Sequence, residues 1–157
     1  MSKLKVEIVT GAKNSGKTSN IIARIASNLR KTYSGFYSVK IFVADEFVGY
    51  DLVLLPSLEC IPFLRLKPFE WEEKIGPFYI NKMAISTVSK YVLSHYKQMN
   101  ILFLDEIGRL ELQDKGFSAL LTTIVSDYKG TLIMAVREDF LSAVCDKWKI
   151  YPVISTK

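Results

Sequence analysis

Hydrophobic and polar positions follow two regular patterns along this chain, and the two patterns alternate. Short apolar runs are typical of buried strands, and four of them stand out, at residues 3–10, 100–104, 130–136 and 149–154. Between these runs, apolar residues recur at helical spacing, with polar residues on the opposite side. This spacing predicts amphipathic helices over residues 17–31, 82–98, 114–128 and 139–146.

The middle third of the chain reads differently. Residues 35–43, 50–55 and 60–66 are short β-like runs, with glycine and proline between them. Their close spacing predicts antiparallel strands or hairpins at one edge of a sheet. Residues 69–80 are aromatic, and Pro68, Gly76 and Pro77 argue against one long helix, so no element is assigned there.

The alternation of apolar strands and amphipathic helices predicts an α/β fold. We expect a mostly parallel central sheet with helices on both faces and antiparallel strands at one edge. The 157 residues show no repeat and no linker, so residues 1–157 are interpreted as one domain. Ligands of such sheets bind beyond the carboxyl ends of the strands, and the polar motifs should lie there.

Composition narrows the class of protein. A chain with 49% hydrophobic and 12% aromatic residues is not mainly disordered. The net charge of +5 is spread along the sequence without a lysine or arginine block, so it indicates nucleic acid only weakly. Cys60 and Cys145 form neither a disulfide framework nor a metal motif. No apolar run reaches the roughly 20 residues of a membrane span, so we expect no membrane partner and a reducing, cytoplasmic setting.

The first polar motif lies between the first strand and the first helix. Residues 11–18 read GAKNSGKT and match the phosphate-binding pattern G-x-x-x-x-G-K-[ST] without departure. In this loop the backbone N–H groups and the start of the helix hold phosphates. Lys17 is expected to reach the β- and γ-phosphates, and the Thr18 hydroxyl to bind Mg²⁺. The predicted nucleotide-binding residues are Gly11, Ala12, Lys13, Asn14, Ser15, Gly16, Lys17 and Thr18.

The second motif is an acid pair at the end of an apolar strand. Residues 101–106 read ILFLDE, and burying a carboxylate there is costly unless a partner compensates its charge. Mg²⁺ held by phosphates and Thr18 is such a partner, which makes Asp105 the Walker-B acid. Glu106 is placed to polarise a water aimed at the γ-phosphate. The alternative is that both acids only cap the turn that follows.

The roles of two further charged residues, Arg137 and Glu111, are left open by the sequence. Arg137 ends the strand that follows the Asp105 strand, and in P-loop proteins with such an acid pair that strand usually lies between the other two. Arg137 is therefore a candidate to neutralise charge on the γ-phosphate, or else a surface residue paired with Glu138 or Asp139. Glu111 either supports the metal or water from outside, or is simply solvated.

The single histidine and the aromatic residues give little support to other kinds of site. His95 is the only histidine, so the chain has no histidine cluster around which a metal site or a Ser-His-Asp triad could be built. It is interpreted as a residue at a helix surface or boundary. Several aromatic residues offer a base-stacking platform or, more in keeping with their type, core packing: Phe63, Phe69, Trp71, Phe78 and Tyr79.

The combined motifs resemble a known family. DEIGRLEL at residues 105–112 is similar to the D-E-I-G-x-x-E-L signature of the thermophile-type, or cancer-related, nucleoside-triphosphatases. GFYS at residues 35–38 matches the Gly-Phe-Tyr strand of that family. The resemblance implies a RecA-like P-loop fold and slow, Mg²⁺-dependent hydrolysis of several nucleoside triphosphates. It also implies that Asp105 and Glu106 are the catalytic acid pair.

The chain also departs from the family pattern. An arginine that usually precedes a Gly-Phe pair is absent from FVGYDL at residues 47–52, and ISTK at residues 154–157 lacks the Thr-x-x-Asn-Arg stretch that tends to follow. We therefore expect weak base selectivity. Two alternative functions share the phosphate loop: a nucleotide or small-molecule kinase, and an ATPase stimulated by nucleic acid. The oligomeric state is left open.

Overall fold

One sheet organises the computed structural model, which describes residues 3–68 and 70–156. In that part of the chain the sheet has nine strands: β1 (Lys5–Gly11), β2 (Tyr33–Val43), β3 (Glu46–Leu55), β4 (Cys60–Arg65), β5 (Lys74–Ile75), β6 (Phe78–Ile80), β7 (Ile101–Asp105), β8 (Thr131–Arg137) and β9 (Val153–Thr156). The helices that accompany it are α1 (Lys17–Ser27), α2 (Lys82–Leu93), α3 (Arg109–Leu112), α4 (Ser118–Asp127) and α5 (Glu138–Trp148).

The strand order is β5-β6-β4-β3-β2-β7-β8-β1-β9. The five strands from β2 to β9 in this order are parallel to one another, while β3, β4, β6 and β5 extend the sheet in antiparallel pairs. The predicted fold class is confirmed. The prediction that the strand after Asp105 lies between the other two is also confirmed, because β8 lies between β7 and β1.

Strand alternation separates the core into two layers. Val9, Phe103 and Ile133 pack on one face of the sheet against Ile21 and Ile25 of α1. The neighbouring positions point to the other face, where side chains of α2, α4 and α5 cover them. Helices therefore lie on both faces, as predicted, and the central strands are buried from both sides.

Several element boundaries differ from the predictions. Helix α1 ends at Ser27 rather than at residue 31, and α2 ends at Leu93 before a separate 3₁₀ turn at Tyr96–Gln98. Helix α4 begins at Ser118 rather than at residue 114, because Gly116 has a φ of 58° and interrupts helical geometry. The last strand was predicted too early, since Lys149 has a left-handed φ of 53° and closes a longer α5.

A hairpin rises beyond the carboxyl ends of the parallel strands. Strand β2 pairs with β7 only as far as Phe36, and then continues to Val43 against β3 alone. Those seven further residues extend roughly 23 Å at ~3.3 Å each. The unassigned segment contains the small β5–β6 hairpin, and Phe69 lies outside the described residues. No helix in the described ranges has the length and apolar content to cross a membrane.

Candidate functional site

The sheet brings the predicted motifs together at one edge. Parallel pairing aligns Gly11 of β1 with Arg137 of β8, and Asp105 of β7 with Ala135 of β8. The carboxyl ends of β1, β8 and β7 therefore lie side by side, at the strand spacing of roughly 4.8 Å. This is the edge at which ligands of parallel α/β sheets bind.

The phosphate loop has a left-handed backbone at one of the two glycines of its motif. Gly16 is in the left-handed region with a φ of 94°, immediately before α1. Gly11 instead ends β1, and the other left-handed residue of the loop is Asn14, with a φ of 60°. A hydrogen bond from the Ser15 N–H to the Ala12 carbonyl, at 3.2 Å, closes the turn. Ala12, Lys13 and Asn14 form the exposed crest of the loop.

Lys17 is buried at the start of α1 and points back into the loop. Its Nζ donates to the Ala12 carbonyl at 2.8 Å, and the residue is only 4% exposed. An ammonium held inside a loop of backbone N–H groups concentrates positive charge where phosphate oxygens would lie. The contact of Lys17 with phosphate stays a prediction.

Thr18 and Asp105 join the two motifs directly. The Thr18 hydroxyl donates to Asp105 Oδ2 at 2.7 Å, and the Ser38 N–H donates to the same oxygen at 3.2 Å. Asp105 is buried, and its Oδ1 has no hydrogen-bond partner. Burial raises the pKa of this carboxyl group above its ordinary value. Hydrogen bonds from Thr18 and Ser38 and the charge of Lys17 oppose the shift without cancelling it.

Glu106 lies next to this pair at the rim of the site. The residue is exposed to solvent, yet surrounding protein atoms partly desolvate its carboxyl group. This partial desolvation and then the adjacent Asp105 charge raise the pKa of Glu106 to about 7, against the opposing charges of Lys17 and Arg137. A carboxyl group with that pKa exchanges protons near neutral pH, as a general base requires.

Arg137 shows features of both interpretations that the sequence left open. Its guanidinium donates to exposed Asp139 at 3.1 Å and lies 5.1 Å from the centre of the Phe140 ring. It also lies close enough to Glu106 to lower the pKa of that carboxyl group. Its buried Nε has no partner. The side chain is thus anchored at the rim, with one donor unused.

Unused polar atoms cluster at this edge. Five buried side-chain polar atoms lack a hydrogen-bond partner in the described part of the chain, and four of them belong to the loop or to the strand ends around it: Thr10 Oγ1, Ser15 Oγ, Asp105 Oδ1 and Arg137 Nε. Buried polar groups in native proteins are normally satisfied. Their concentration at this edge indicates a binding site for a polar ligand.

Two residues at this edge were missed by sequence reasoning. Thr10 is the last residue before the phosphate loop, and a polar residue closing an apolar strand was the available signal. Ser38 contributes a backbone N–H to Asp105. No side-chain pattern could have indicated that contact, because it depends on how β2 lies beside β7.

Glu111 is neither solvated nor directed at the reacting groups. It is 4% exposed, and its two oxygens accept the N–H groups of Gly108 at 2.8 Å and Phe117 at 2.9 Å. A Cβ on Gly116 would lie 2.2 Å from Glu111 Oε2, so the glycine makes room for the carboxylate. Glu111 therefore fixes the loop that follows the acid pair, and the solvated alternative is wrong.

Replacing Glu111 with glutamine is expected to reduce stability more than catalysis. An amide has one acceptor oxygen, so one buried N–H would lose its partner, at a cost of about 1–3 kcal/mol in the free energy of unfolding. Urea unfolding of Glu111→Gln against the exposed control Glu72→Gln measures this. Unchanged stability with strongly reduced turnover would instead place Glu111 in the chemistry.

The other predicted residues lie away from the acid pair or serve packing. His95 bridges Ser34 at 2.7 Å and Ser94 at 3.0 Å. Phe63 packs on Phe117 at the core, as favoured. Phe78 instead joins a ring cluster on the projecting hairpin, with Phe42, Phe47 and Tyr50. Cys60 and Cys145 are free thiols.

Comparison with known proteins agrees with this geometry. The structure matches the crystal structure of THEP1 from Aquifex aeolicus with a TM-score of 0.71 and 18% identity, over 96% of this chain and 87% of the other. It matches the solution structure of a human cancer-related nucleoside triphosphatase with a TM-score of 0.70 and 18% identity, over 98% and 89% of the two chains. These likenesses establish the P-loop NTPase fold.

The amino-acid sequence is also similar to known proteins and to a family profile. Nucleoside-triphosphatase THEP1 of Thermotoga petrophila is 26% identical over 126 residues, which cover 80% of this chain and 68% of the relative. THEP1 of Saccharolobus solfataricus is 24% identical over 131 residues, covering 82% and 74%. The profile of the family described as NTPase matches residues 7–155. The chain therefore belongs to this NTPase family, and it is a nucleoside-triphosphate hydrolase.

Proposed function

We propose that this protein hydrolyses nucleoside 5′-triphosphates, ATP and GTP among them, to the diphosphate and phosphate in a Mg²⁺-dependent reaction with broad base specificity. The observation that carries the proposal is the 2.7 Å contact between Thr18 and Asp105, which leaves Asp105 Oδ1 buried and unpaired. The proposal treats residues 1–157 as one domain acting in the cytoplasm, a setting that suits the free thiols of Cys60 and Cys145.

The residues present fit Mg²⁺. Mg²⁺ prefers oxygen ligands and is usually held by one or two carboxylates together with substrate phosphates. Thr18 and Asp105 offer a hydroxyl and a carboxylate, and the described residues contain no cluster of three or more histidine, cysteine or acidic side chains that would hold a metal alone. When bound there with the nucleotide, Mg²⁺ would supply neutralisation of charge on the phosphate oxygens.

The phosphate loop would hold and orient the substrate. Backbone N–H groups of the loop and the start of α1 would bind the anionic phosphates, and Lys17 would exchange its bond to the Ala12 carbonyl for phosphate oxygens. Arg137 would neutralise charge at the γ-phosphate with its unused Nε. These contacts strengthen as charge develops in the transition state.

Glu106 would orient the attacking water and accept its proton. The carboxyl group lies beside Asp105 on an exposed residue, and its pKa of about 7 would let it act near neutral pH. Asp105 is fully buried and engaged with Thr18, so the two acids have different tasks. Phosphate release without any added acceptor separates this hydrolysis from a kinase reaction, which needs one.

Turnover of the common nucleoside triphosphates is expected to agree within about tenfold. The departure of the sequence from the family pattern at residues 47–52 supports weak base selectivity. Tenfold corresponds to about 1.4 kcal/mol, less than a site built to hydrogen-bond one base provides.

Phosphate release from ATP, GTP, CTP and UTP, each with and without Mg²⁺, measures both the base preference and the metal requirement. A thousandfold preference for one nucleotide would show that a dedicated base site exists.

A further inference from the structure

The net positive charge, which is spread along the sequence, is collected by the fold at one end of the molecule. The segments that precede the parallel strands and connect β3 to β4 are residues 3–5, 28–32, 56–59, 94–100, 128–130 and 149–152. Together they carry seven lysine and arginine residues and one acid, Glu59, while the rest of the chain has a net charge of −1. The charge asymmetry therefore runs along the strand direction.

Backbone hydrogen bonds hold these segments side by side. The Lys5 N–H donates to the Gly130 carbonyl, the Thr131 N–H to the Asn100 carbonyl, and the Asn100 N–H to the Thr32 carbonyl, at 2.9–3.0 Å. Adjacent strands are ~4.8 Å apart, so the five strand starts span about 20 Å. We name this row of segments the basic edge.

The cations of the basic edge reach solvent, although Lys97 Nζ also lies 5.9 Å from the centre of the Tyr96 ring. Lys3 and Lys5 precede or open β1, Lys129 precedes β8, and Lys149 lies at the end of α5, before β9. At the other side of the row Arg30, Lys31 and Lys97 precede β2 and β7. All seven residues are exposed. None serves the nucleotide phosphates, because β1 alone separates the two ends by roughly 20 Å.

Two features beside these cations suit unstacked bases. Tyr151 is 95% exposed, two residues after Lys149, and offers a free aromatic ring. At the other side of the row, a recess of about 230 Å³ is lined by Lys31, Thr32, Tyr33, Pro56, His95 and Met99. Aromatic rings and recesses beside a line of cations are the features with which proteins hold single strands, whose bases are accessible.

We propose that the basic edge binds single-stranded nucleic acid, with phosphates on its lysine and arginine side chains and bases on Tyr151 and in the recess beside His95. An anionic membrane surface is the less suitable partner. Leu29 and Leu58, two exposed leucines at this edge, lie in separate segments outside the helices, so they form no amphipathic helix with each other. A flat bilayer also gives the recess no occupant.

Fluorescence anisotropy of a labelled single-stranded oligonucleotide of about 15 nucleotides tests this binding, at about 50 to about 200 mM salt. The triple variant Lys31→Glu, Lys97→Glu and Lys129→Glu is expected to bind the oligonucleotide at least about tenfold more weakly. The slope of its log affinity against log salt concentration should be less steep by about 2, because each lost phosphate contact removes ~0.7 from the slope. The control carries the same charge change at the exposed Lys67, Lys74 and Lys115, and should stay within about twofold of the wild type.

Tyr151→Ala is expected to weaken affinity by about fivefold or more, whereas Tyr151→Phe keeps the ring and the affinity. If the triple variant fails to fold, the single variant Lys97→Glu is compared with the control Lys115→Glu. The salt slope of Lys97→Glu should then be less steep by about 0.7. Turnover of nucleotide without oligonucleotide should be unchanged in every variant, so this test is independent of the proposed function.

Three results would overturn the proposal. The first is an absence of oligonucleotide binding by the wild type at about 50 mM salt. The second is an equal loss of oligonucleotide affinity in the basic-edge variant and in its control, because the net charge of the protein alone would then explain the binding. The third is binding of phosphatidylserine-containing vesicles that depends on Lys31, Lys97 and Lys129, without comparable binding of the oligonucleotide.

Discussion

Replacing Glu106 with glutamine is expected to lower the single-turnover rate of hydrolysis by about 10²- to 10⁴-fold, the range of general-base contributions. Glutamine keeps the size and hydrogen-bonding capacity of the side chain but cannot accept the proton of the attacking water. Nucleotide affinity should be kept or improved, because a negative charge that faces the γ-phosphate is removed. The experiment is best done at pH 8, above the Glu106 pKa of about 7.

Glu138→Gln is the matched control for this variant. Glu138 is exposed at the same edge, directly after Arg137, and the substitution makes the same change of charge. Its turnover should stay close to that of the wild type. If Glu106→Gln also retains near-wild-type turnover, Glu106 is not the base, and the water must be activated by another group.

Replacing Lys17 with alanine is expected to abolish measurable hydrolysis, with a loss of at least about 10²- to 10³-fold in rate and weaker nucleotide binding. Lys17 is the cation inside the phosphate loop, and its Nζ donates a hydrogen bond to the Ala12 carbonyl. The fold should survive, because removing a buried ammonium also removes the cost of desolvating it.

Lys115→Ala, at an exposed position, serves as the control for Lys17→Ala. Circular dichroism and urea unfolding establish that both variants are folded before turnover is compared. Normal turnover by a folded Lys17→Ala variant would remove the basis for assigning phosphate binding to residues 11–18.

The order and type of the central elements could be predicted from the sequence because each has a local cause. The apolar run before Asp105 and the loop of residues 11–18 carry their own signals, and the family pattern of the acid pair already indicated that β8 lies between β7 and β1. Local patterns also gave the antiparallel extension of the sheet. Boundaries failed where a single left-handed residue, such as Gly116 or Lys149, ended an element.

The rest of the site depends on contacts between distant segments. Ser38 meets Asp105 only because β2 pairs with β7 and then continues beyond it. The sequence left Glu111 open between supporting the metal or water and being solvated, because its buried bonds to Gly108 and Phe117 follow from how the loop closes. The basic edge likewise has no counterpart as a run of residues, because it is assembled from connections far apart in the chain.

The proposed metal site of Thr18 and Asp105 is tested most directly by the Mg²⁺ dependence of phosphate release from ATP, compared between the wild type and Asp105→Asn. The wild type should require Mg²⁺, and Asp105→Asn should need at least about tenfold more Mg²⁺ for half-maximal activity, with a lower maximal rate. That shift equals about 1.4 kcal/mol of lost metal binding. Equal hydrolysis by the wild type in EDTA, or an unchanged Mg²⁺ requirement in a folded Asp105→Asn variant, would contradict the account.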